Sequence, residues 1–149
     1  DALAQCLDAV RDFVPGRLIC VFGAGGERDR SKRPLMAHAA MAADVAIVTS
    51  DNPRSEDPGQ IITDITAGFS ADAVYVSETD RQQAISVALE QAEPGDVVVV
   101  AGRGHERTQE SAGAKLSFDD REVVRQLLRA ADCSVVDNLQ PRFSIQRSA

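Results

Sequence analysis

Four short runs of β-branched and other apolar residues, separated by segments of helical periodicity, constrain the fold of this chain most strongly. The runs cover residues 17–22, 45–49, 73–76 and 96–101. Continuous apolar runs of this length are typical of strands buried on both faces of a sheet. Strands that alternate with helices form mostly parallel sheets. The sequence therefore predicts an α/β fold, a Rossmann-like open, mostly parallel sheet with helices on both faces.

Five segments around these runs have apolar residues at helical spacing. The first spans residues 2–13, and its predicted buried face includes Cys6 and Phe13. Four further helices are predicted to begin at Pro34, at Asp57 as an N-cap, at Thr79 with Gln82 as a capping box, and near Asp119.

Residues 1–132 hold all of these elements and are predicted to form one domain. A polar loop of about a dozen residues is predicted to lead to Asp119. The tail, residues 133–149, contains the runs SVVD and RFSIQ, which fit either short edge strands or disordered chain. Because the chain starts with Asp1 rather than Met, we expect it to be a piece of a longer protein.

Charge and cysteine content narrow the class of protein. The 149 residues carry a net charge of -7, which argues against nucleic-acid binding because no basic stripe can neutralise phosphates. No apolar run approaches the length of a membrane span. Cys6 and Cys20 lie in apolar runs and are predicted to be buried thiols. Three cysteines without a signal segment predict a protein of a reducing cytoplasm.

A glycine-rich segment, residues 23–30, follows the first predicted strand. Arg28 stands where the third glycine of a dinucleotide-binding motif belongs, and the chain contains no GxxxxGK[ST] phosphate loop. Positive charges here lead into a helix N-terminus, where backbone amides favour anions. The segment is predicted to be either an anion-binding loop or a mobile, solvated one. Its cations are Arg28, Arg30, Lys32 and Arg33.

Two polar turns follow two other predicted strands. Asp51-Asn52-Pro53-Arg54 comes after the second strand, and Pro53 fixes its own φ and restricts Asn52, so the turn is rigid. A solvated turn without a ligand is the alternative interpretation. The second turn, GRGHE, follows the Val97–Ala101 run and lets a ligand approach the backbone at its glycines.

The carboxyl ends of parallel strands lie at one edge of a sheet, where ligands bind in such folds. The three loops are therefore expected to bring together two guanidinium groups, one amide and one carboxylate. Arg binds carboxylates through paired hydrogen bonds, so an amino acid with an extra carboxylate would fit. The residues expected at the site are Arg28, Asn52, Arg54, Gly102 and Glu106. His105 is more often a structural hydrogen-bonding residue than a catalytic one in such a position.

The motifs FGAGGERDRSKRPLM, VTSDNPRSEDP and VAGRGHE followed by FDDRE resemble the C-terminal domain of the Mur ligases. The resemblance covers roughly residues 1 to 130 and is closest to the members that add diaminopimelate. It implies that the five residues named above contact meso-diaminopimelate, with Arg54 on the distal carboxylate that lysine lacks. It also implies that Asp51 and Pro53 shape the turn and that Lys32 and Arg33 lie near the nucleotide.

The resemblance also implies a reaction, an ATP-dependent amide ligation through an acyl phosphate. In it, meso-diaminopimelate is joined to UDP-MurNAc-L-Ala-D-Glu in peptidoglycan synthesis. ATP, Mg²⁺ and the UDP-sugar would be bound mainly by domains beyond this chain, so the chain alone is expected to be inactive. Glu27 and Arg103 replace the Asp and Lys usual in the family, and both replacements keep the charge.

Two alternatives stay open at this point. One is a Mur-type ligase that adds a different amino acid, against which Arg54 argues in the case of lysine. The other is a stand-alone module that binds amino acids or anions without ligase activity.

Overall fold

A computed structural model describes residues 2–104 and 106–137 of the chain. Its main sheet has four strands in the order β3-β2-β1-β4, and every neighbouring pair is parallel. The predicted mostly parallel sheet is confirmed. The strands are β1 Leu18–Phe22, β2 Val45–Val48, β3 Tyr75–Ser77 and β4 Val97–Val100.

Within residues 2–104 and 106–137, five α-helices surround the sheet, and a 3₁₀ turn, Arg30–Lys32, leads into the second of them. They are α1 Ala2–Arg11, α2 Arg33–Ala40, α3 Pro58–Thr66, α4 Arg81–Gln91 and α5 Asp120–Asp137. No helix in the described part of the chain has the length and apolar character needed to cross a membrane.

Strand β1 is the centre of the core, since its five residues are at most 1% exposed. Its side chains alternate between two apolar clusters, as the period of a strand requires. Leu18, Cys20 and Phe22 pack with residues of α1, α2 and α3 on one face. Ile19 and Val21 pack with residues of α4 and α5 on the other face. The prediction of helices on both faces is therefore confirmed.

Helix starts follow local capping chemistry. Asp57 caps α3, as predicted, by accepting a hydrogen bond of 2.8 Å from the Gln60 amide. The predicted cap at Thr79 is wrong, because Asp80 caps α4 by accepting from the Gln83 amide at 3.0 Å. A carboxylate is the stronger acceptor at the positive end of a helix.

Two residues of the first predicted helix are more exposed than expected. Phe13 lies beyond the end of α1 and is 82% exposed, while Cys6 is exposed on the surface of α1. The buried face of α1 is therefore narrower than its apolar residues predict, and it consists of Leu3 and Leu7. Cys20 is buried as predicted, and burial raises the pKa of its thiol to about 12.

The stretch predicted to be a polar loop contains a two-stranded antiparallel hairpin, β5 Thr108–Ser111 and β6 Ala114–Ser117. Its side chains are mostly exposed, so its sequence lacks the alternation of apolar and polar residues from which a strand is predicted. The edge-strand interpretation of Ser134–Asp137 is also wrong, since these residues continue α5. The RFSIQ run lies outside the described residues.

Asp96 joins the start of β4 to the segment before β1. Its carboxylate accepts hydrogen bonds from the Arg17 amide at 2.7 Å, the Arg17 guanidinium at 2.7 Å and the Glu93 amide at 3.0 Å. The Arg17 side chain, followed by these amides, lowers the pKa of Asp96 from 3.8 to about 2. A carboxyl group with a depressed folded-state pKa stabilises the fold at high pH and loses that contribution in acid.

We therefore expect the stability difference between wild type and Asp96→Asn to depend on pH. The wild-type advantage should be complete above about pH 4 and should disappear as the pH falls toward about 2. Urea unfolding between these pH values measures it, with Asp12→Asn at an exposed position as the control. A difference that stays constant across the range would contradict the assigned pKa shift.

Candidate functional site

The glycine-rich loop and both polar turns meet at the carboxyl edge of the sheet. The Gly26 amide donates to the Asn52 carbonyl at 2.8 Å. A Cβ atom added at Gly102 would lie 2.6 Å from Oδ2 of Asp51. The predicted convergence of the three loops therefore holds in the structure. A cleft of about 450 Å³ opens between them, and residues that line it include Gly25, Arg28, Lys32, Asp51 and Gly102.

The approach of the glycine-rich loop to the Asp51–Arg54 turn leaves no room for a side chain at Gly26. A Cβ atom there would overlap the carbonyl oxygen of Pro53. The neighbouring Gly25 differs, because the nearest atom to its Cβ would be Cγ of Arg28 at 3.6 Å. Gly26 therefore sets the distance between the two loops, whereas Gly25 does not.

This contrast predicts different effects for two adjacent substitutions. Gly26→Ala should lower the free energy of unfolding by about 1–3 kcal/mol, because backbone must move to relieve the overlap. Gly25→Ala, the matched control, should change it little. Thermal unfolding of the two variants checks the expectation. Equal melting temperatures would show that the loops are not held at the described distance.

Arg54 occupies a strained position at the end of its turn. Its φ is 54°, in the left-handed region that costs a residue with a Cβ about 1–2 kcal/mol. The Arg54 amide donates to the Glu110 carbonyl and the Arg54 carbonyl accepts from the Ala112 amide, both at 2.8 Å. The guanidinium Nη1 donates to the Gly26 carbonyl at 2.5 Å. Hydrogen bonds from the hairpin thus hold the turn in a conformation that directs Arg54 toward the glycine-rich loop.

Asp51 contributes both a carboxyl group and a carbonyl to the site. Burial raises the pKa of its carboxyl group, an effect that Arg81 and Arg103 oppose. The carboxyl group lines the cleft. A half-buried carboxylate of this kind is stabilised by a cation that enters the cleft. Asp51 can therefore favour a ligand with an ammonium group, in addition to shaping the turn.

The cations of the glycine-rich loop have two different environments. Arg33 is 1% exposed, and it donates to Asp64 at 2.8 Å and to Glu56 at 3.0 Å. Both terminal nitrogens of its guanidinium are thus held in a structural network, while Nε has no hydrogen-bond partner among the described residues and Arg33 also lines the cleft. The placement of Arg33 near a nucleotide stays a prediction. Arg28 and Lys32 border the cleft and form no ion pair with any other described residue. They are the cations that line the cleft without a carboxylate partner among the described residues.

Glu56 holds the glycine-rich loop against the start of α3. It accepts from the Glu27 amide at 2.5 Å and from Arg30 at 2.9 Å, besides its contact with Arg33. The Glu27 amide, then Arg33 and Arg30, lower the pKa of Glu56. The loop is therefore anchored at several points, in contrast to the mobile loop that was the alternative interpretation.

The remaining predicted residues, Arg54 among them, lie around the cleft rather than in its lining. Asn52 uses its side-chain oxygen to accept from the Glu110 amide at 2.9 Å. Glu106 is exposed, and its amide donates to the Arg103 carbonyl at 2.9 Å. Pro53 is buried against the glycine-rich loop, which agrees with a role in shaping the turn.

Sequence reasoning missed a buried ion pair beneath the site. Arg81 donates to both carboxylate oxygens of Asp120 at 2.8 Å, and it also donates to the carbonyls of Ser50 and Ala101 at 3.2 and 3.0 Å. The two carbonyls belong to the residues that directly precede Asp51 and Gly102. One signal was available, because an arginine in the first turn of a helix opposes the helix dipole and needs a compensating carboxylate.

A second, more apolar groove of about 710 Å³ adjoins the cleft and shares Gly23, Lys32, Met36 and Gly102 with it. It opens between α1, α2 and the ends of β1 and β4. Its remaining lining includes Leu3, Cys6, Phe22, Leu35 and Val100. Within the described residues, no group of three or more histidine, cysteine, aspartate or glutamate side chains is placed to hold a metal ion.

Comparison with known proteins relates this chain to a family of ligases. UDP-N-acetylmuramoyl-L-alanyl-D-glutamate–2,6-diaminopimelate ligase of Synechococcus sp. (strain WH7803) is 56% identical over 130 residues, which make up 87% of this chain and 26% of the relative. The ligase of the same name from Xylella fastidiosa is 53% identical over 131 residues, again 87% of this chain and 26% of the relative. The chain thus spans about a quarter of the length of these relatives.

Solved structures agree with this relationship. A ligase with the same name is 46% identical and superimposes with a TM-score of 0.85, over 89% of this chain and 28% of the other. A murein peptide ligase from Psychrobacter arcticus, 17% identical with a TM-score of 0.53 over 87% of this chain and 25% of the other, shares the fold. A family model described as Mur ligase, glutamate ligase domain, matches residues 1–104. Because that match covers more than half of this chain, the chain belongs to the Mur ligases.

Proposed function

We propose that this chain is the amino-acid-binding part of a ligase that joins meso-diaminopimelate to UDP-MurNAc-L-Ala-D-Glu in peptidoglycan synthesis. The observation that carries the proposal is the arrangement around Arg54. Its guanidinium lies where the glycine-rich loop meets the Asp51–Arg54 turn, beside a cleft bordered by Arg28 and Asp51. The names of the relatives described above support diaminopimelate as the amino acid.

The chemistry of diaminopimelate matches the groups around this cleft. The molecule carries two carboxylates and two ammonium groups, and one carboxylate lies on the distal stereocentre. We assign that carboxylate to Arg54, whose fork of donors suits paired hydrogen bonds. Arg28 would hold the other carboxylate, and Asn52 and the Gly102 backbone would complete the polar contacts. Glu106 would accept an ammonium group.

Rejection of lysine follows from the same assignment. Lysine lacks the distal carboxylate, so its binding would leave the half-buried Arg54 guanidinium without an anionic partner. Sites built around such a polar contact discriminate strongly against a ligand that lacks it. This supports diaminopimelate over lysine within the Mur ligases.

ATP and Mg²⁺ are proposed to act mainly through residues beyond this chain. ATP supplies the phosphoryl group that activates the dipeptide carboxylate. Lys32, at the border between the cleft and the apolar groove, is the cation here that fits a phosphate. The described residues offer no cluster of carboxylates for Mg²⁺, so the proposal assigns the metal to other parts of the ligase. A bacterial cytoplasmic location stays a prediction.

A ligation assay on the full-length protein that carries this chain tests the proposal. With UDP-MurNAc-L-Ala-D-Glu, ATP and Mg²⁺ present, meso-diaminopimelate should give the tripeptide product by mass spectrometry, together with release of phosphate. L-Lysine should give little product. Preference for lysine would indicate a ligase of different specificity, and diaminopimelate binding without ATP-dependent product would favour a stand-alone binding module.

A further inference from the structure

The β5–β6 hairpin, which was not predicted from the sequence, is hydrogen-bonded to the turn that carries Arg54. Five hydrogen bonds join residues 51–54 to residues 103–112. Two of them converge on the Asp51 carbonyl, which accepts from Nη1 of Arg103 at 2.9 Å and from Nε2 of Gln109 at 2.7 Å. The other three involve the Asn52 side chain and both backbone groups of Arg54.

Arg103 is buried where these contacts meet, with 2% of its surface exposed. Besides the Asp51 carbonyl, its guanidinium donates to the carbonyls of Thr108 and Phe118 at 2.8 and 3.2 Å, at the two ends of the hairpin. Its guanidinium carbon also lies 5.3 Å from the centre of the Phe118 ring. Arg103 therefore connects the hairpin directly to the turn.

Arg103 and Gln109 direct their donors at the Asp51 carbonyl, so their effect on a ligand would pass through the turn. The hairpin holds the Arg54 backbone in its left-handed conformation through Glu110 and Ala112. A change of φ at Arg54 would redirect the guanidinium by several ångströms, since the side chain is long. The orientation of Arg54 therefore depends on the position of the hairpin.

We propose that Arg103 and Gln109 are positioning residues that determine amino-acid selectivity: by clamping the Asp51 carbonyl, they fix the direction of the Arg54 guanidinium. The inference rests on the proposed function. It assigns selectivity to a second layer of residues in addition to those that touch the amino acid. A purely structural role would instead lower stability and would affect diaminopimelate and lysine alike.

The test measures kcat and KM in the full-length protein for meso-diaminopimelate and for L-lysine, with stability followed by thermal unfolding. Gln109→Leu keeps a side chain of similar size and removes the donor. Because one lost hydrogen bond corresponds to roughly a tenfold change, the ratio of kcat/KM for the two amino acids should fall about tenfold. The KM for ATP should stay within about twofold of its wild-type value.

Variants at Arg103 separate positioning from folding. Arg103→Met should lower the ratio by more than Gln109→Leu does, because three carbonyls lose a donor. Arg103→Lys should restore the ratio to within about threefold of wild type, since an ammonium offers three donors for the three carbonyls. Lys115→Gln, at an exposed position on β6, is the control and should leave the ratio unchanged. If Arg103→Met does not fold, Gln109→Leu decides.

Failure of the proposed function and failure of this inference give different results. A wild-type protein without preference for meso-diaminopimelate would overturn the proposed function and this inference with it. A wild-type preference that is fully retained in Gln109→Leu, with its stability reduced or unchanged, would overturn the inference alone.

Discussion

Arg54→Ala is expected to reduce kcat/KM for meso-diaminopimelate by at least about 100-fold in the full-length protein, because it removes the half-buried guanidinium proposed to pair with the distal carboxylate, and truncating one partner of such a pair is costly. KM values for ATP and for the UDP-linked dipeptide should stay within a few-fold of wild type. Steady-state kinetics with each substrate varied in turn measures this. The physical reason is that the distal carboxylate would enter the site without a cationic partner.

Two further variants make the Arg54 result specific. Arg54→Lys keeps the charge but lacks the fork of donors, so it should restore only part of the lost activity. Arg125→Ala removes an exposed arginine on α5 and should have no effect on the kinetics. Equal losses for all three substrates in Arg54→Ala would contradict its assignment to the amino acid.

The second large effect is expected at the ion pair beneath the site. Arg81→Met should lower the free energy of unfolding by about 3–5 kcal/mol, because the buried Asp120 carboxylate loses both hydrogen bonds and keeps only Arg103, whose Nε lies 4.0 Å away. Asp120 is 7% exposed, so water replaces the lost contact poorly. Urea unfolding monitored by circular dichroism measures the change. Arg11→Met, which breaks an exposed ion pair with Asp44, should have a much smaller effect.

A double variant tests whether the cost comes from the unpaired charge. Arg81→Met combined with Asp120→Leu removes both charges and should recover part of the stability lost in Arg81→Met, as replacement of buried pairs by apolar residues often does. The free energy of unfolding lost in Asp120→Leu alone is measured for comparison. If adding Asp120→Leu to Arg81→Met causes a further loss of the same size, the two residues are not coupled.

The sheet was predictable because its strands are short, apolar and separated by strong turn and capping residues. β1 and β2 are buried on both faces and lie within the predicted ranges. The edge strand β3 begins two residues later than predicted, because its exposed residues carry no pattern to fix its limits. The β5–β6 hairpin was missed for the same reason, since its pairing depends on backbone hydrogen bonds rather than on an apolar face.

The site was predictable to the extent that its chemistry is local in sequence. The Asp51–Arg54 turn and the glycines around Arg103 mark the ends of β2 and β4. The Arg81–Asp120 pair joins residues 39 positions apart and leaves no local signal of its partner. The ion pairs of Arg33 could not be predicted for the same reason. Its partners Glu56 and Asp64 follow β2 in the sequence, whereas Arg33 precedes it.

If the three loops of this chain form the binding site for the amino acid, their backbone amides should respond when it binds. An amide NMR titration of the chain with meso-diaminopimelate tests this most directly, with L-lysine as the control ligand. We expect saturable shifts centred on Gly26, Asn52, Arg54 and Gly102, and much weaker binding of lysine. Saturable shifts centred elsewhere, such as on α5, or equal binding of the two amino acids, would contradict it.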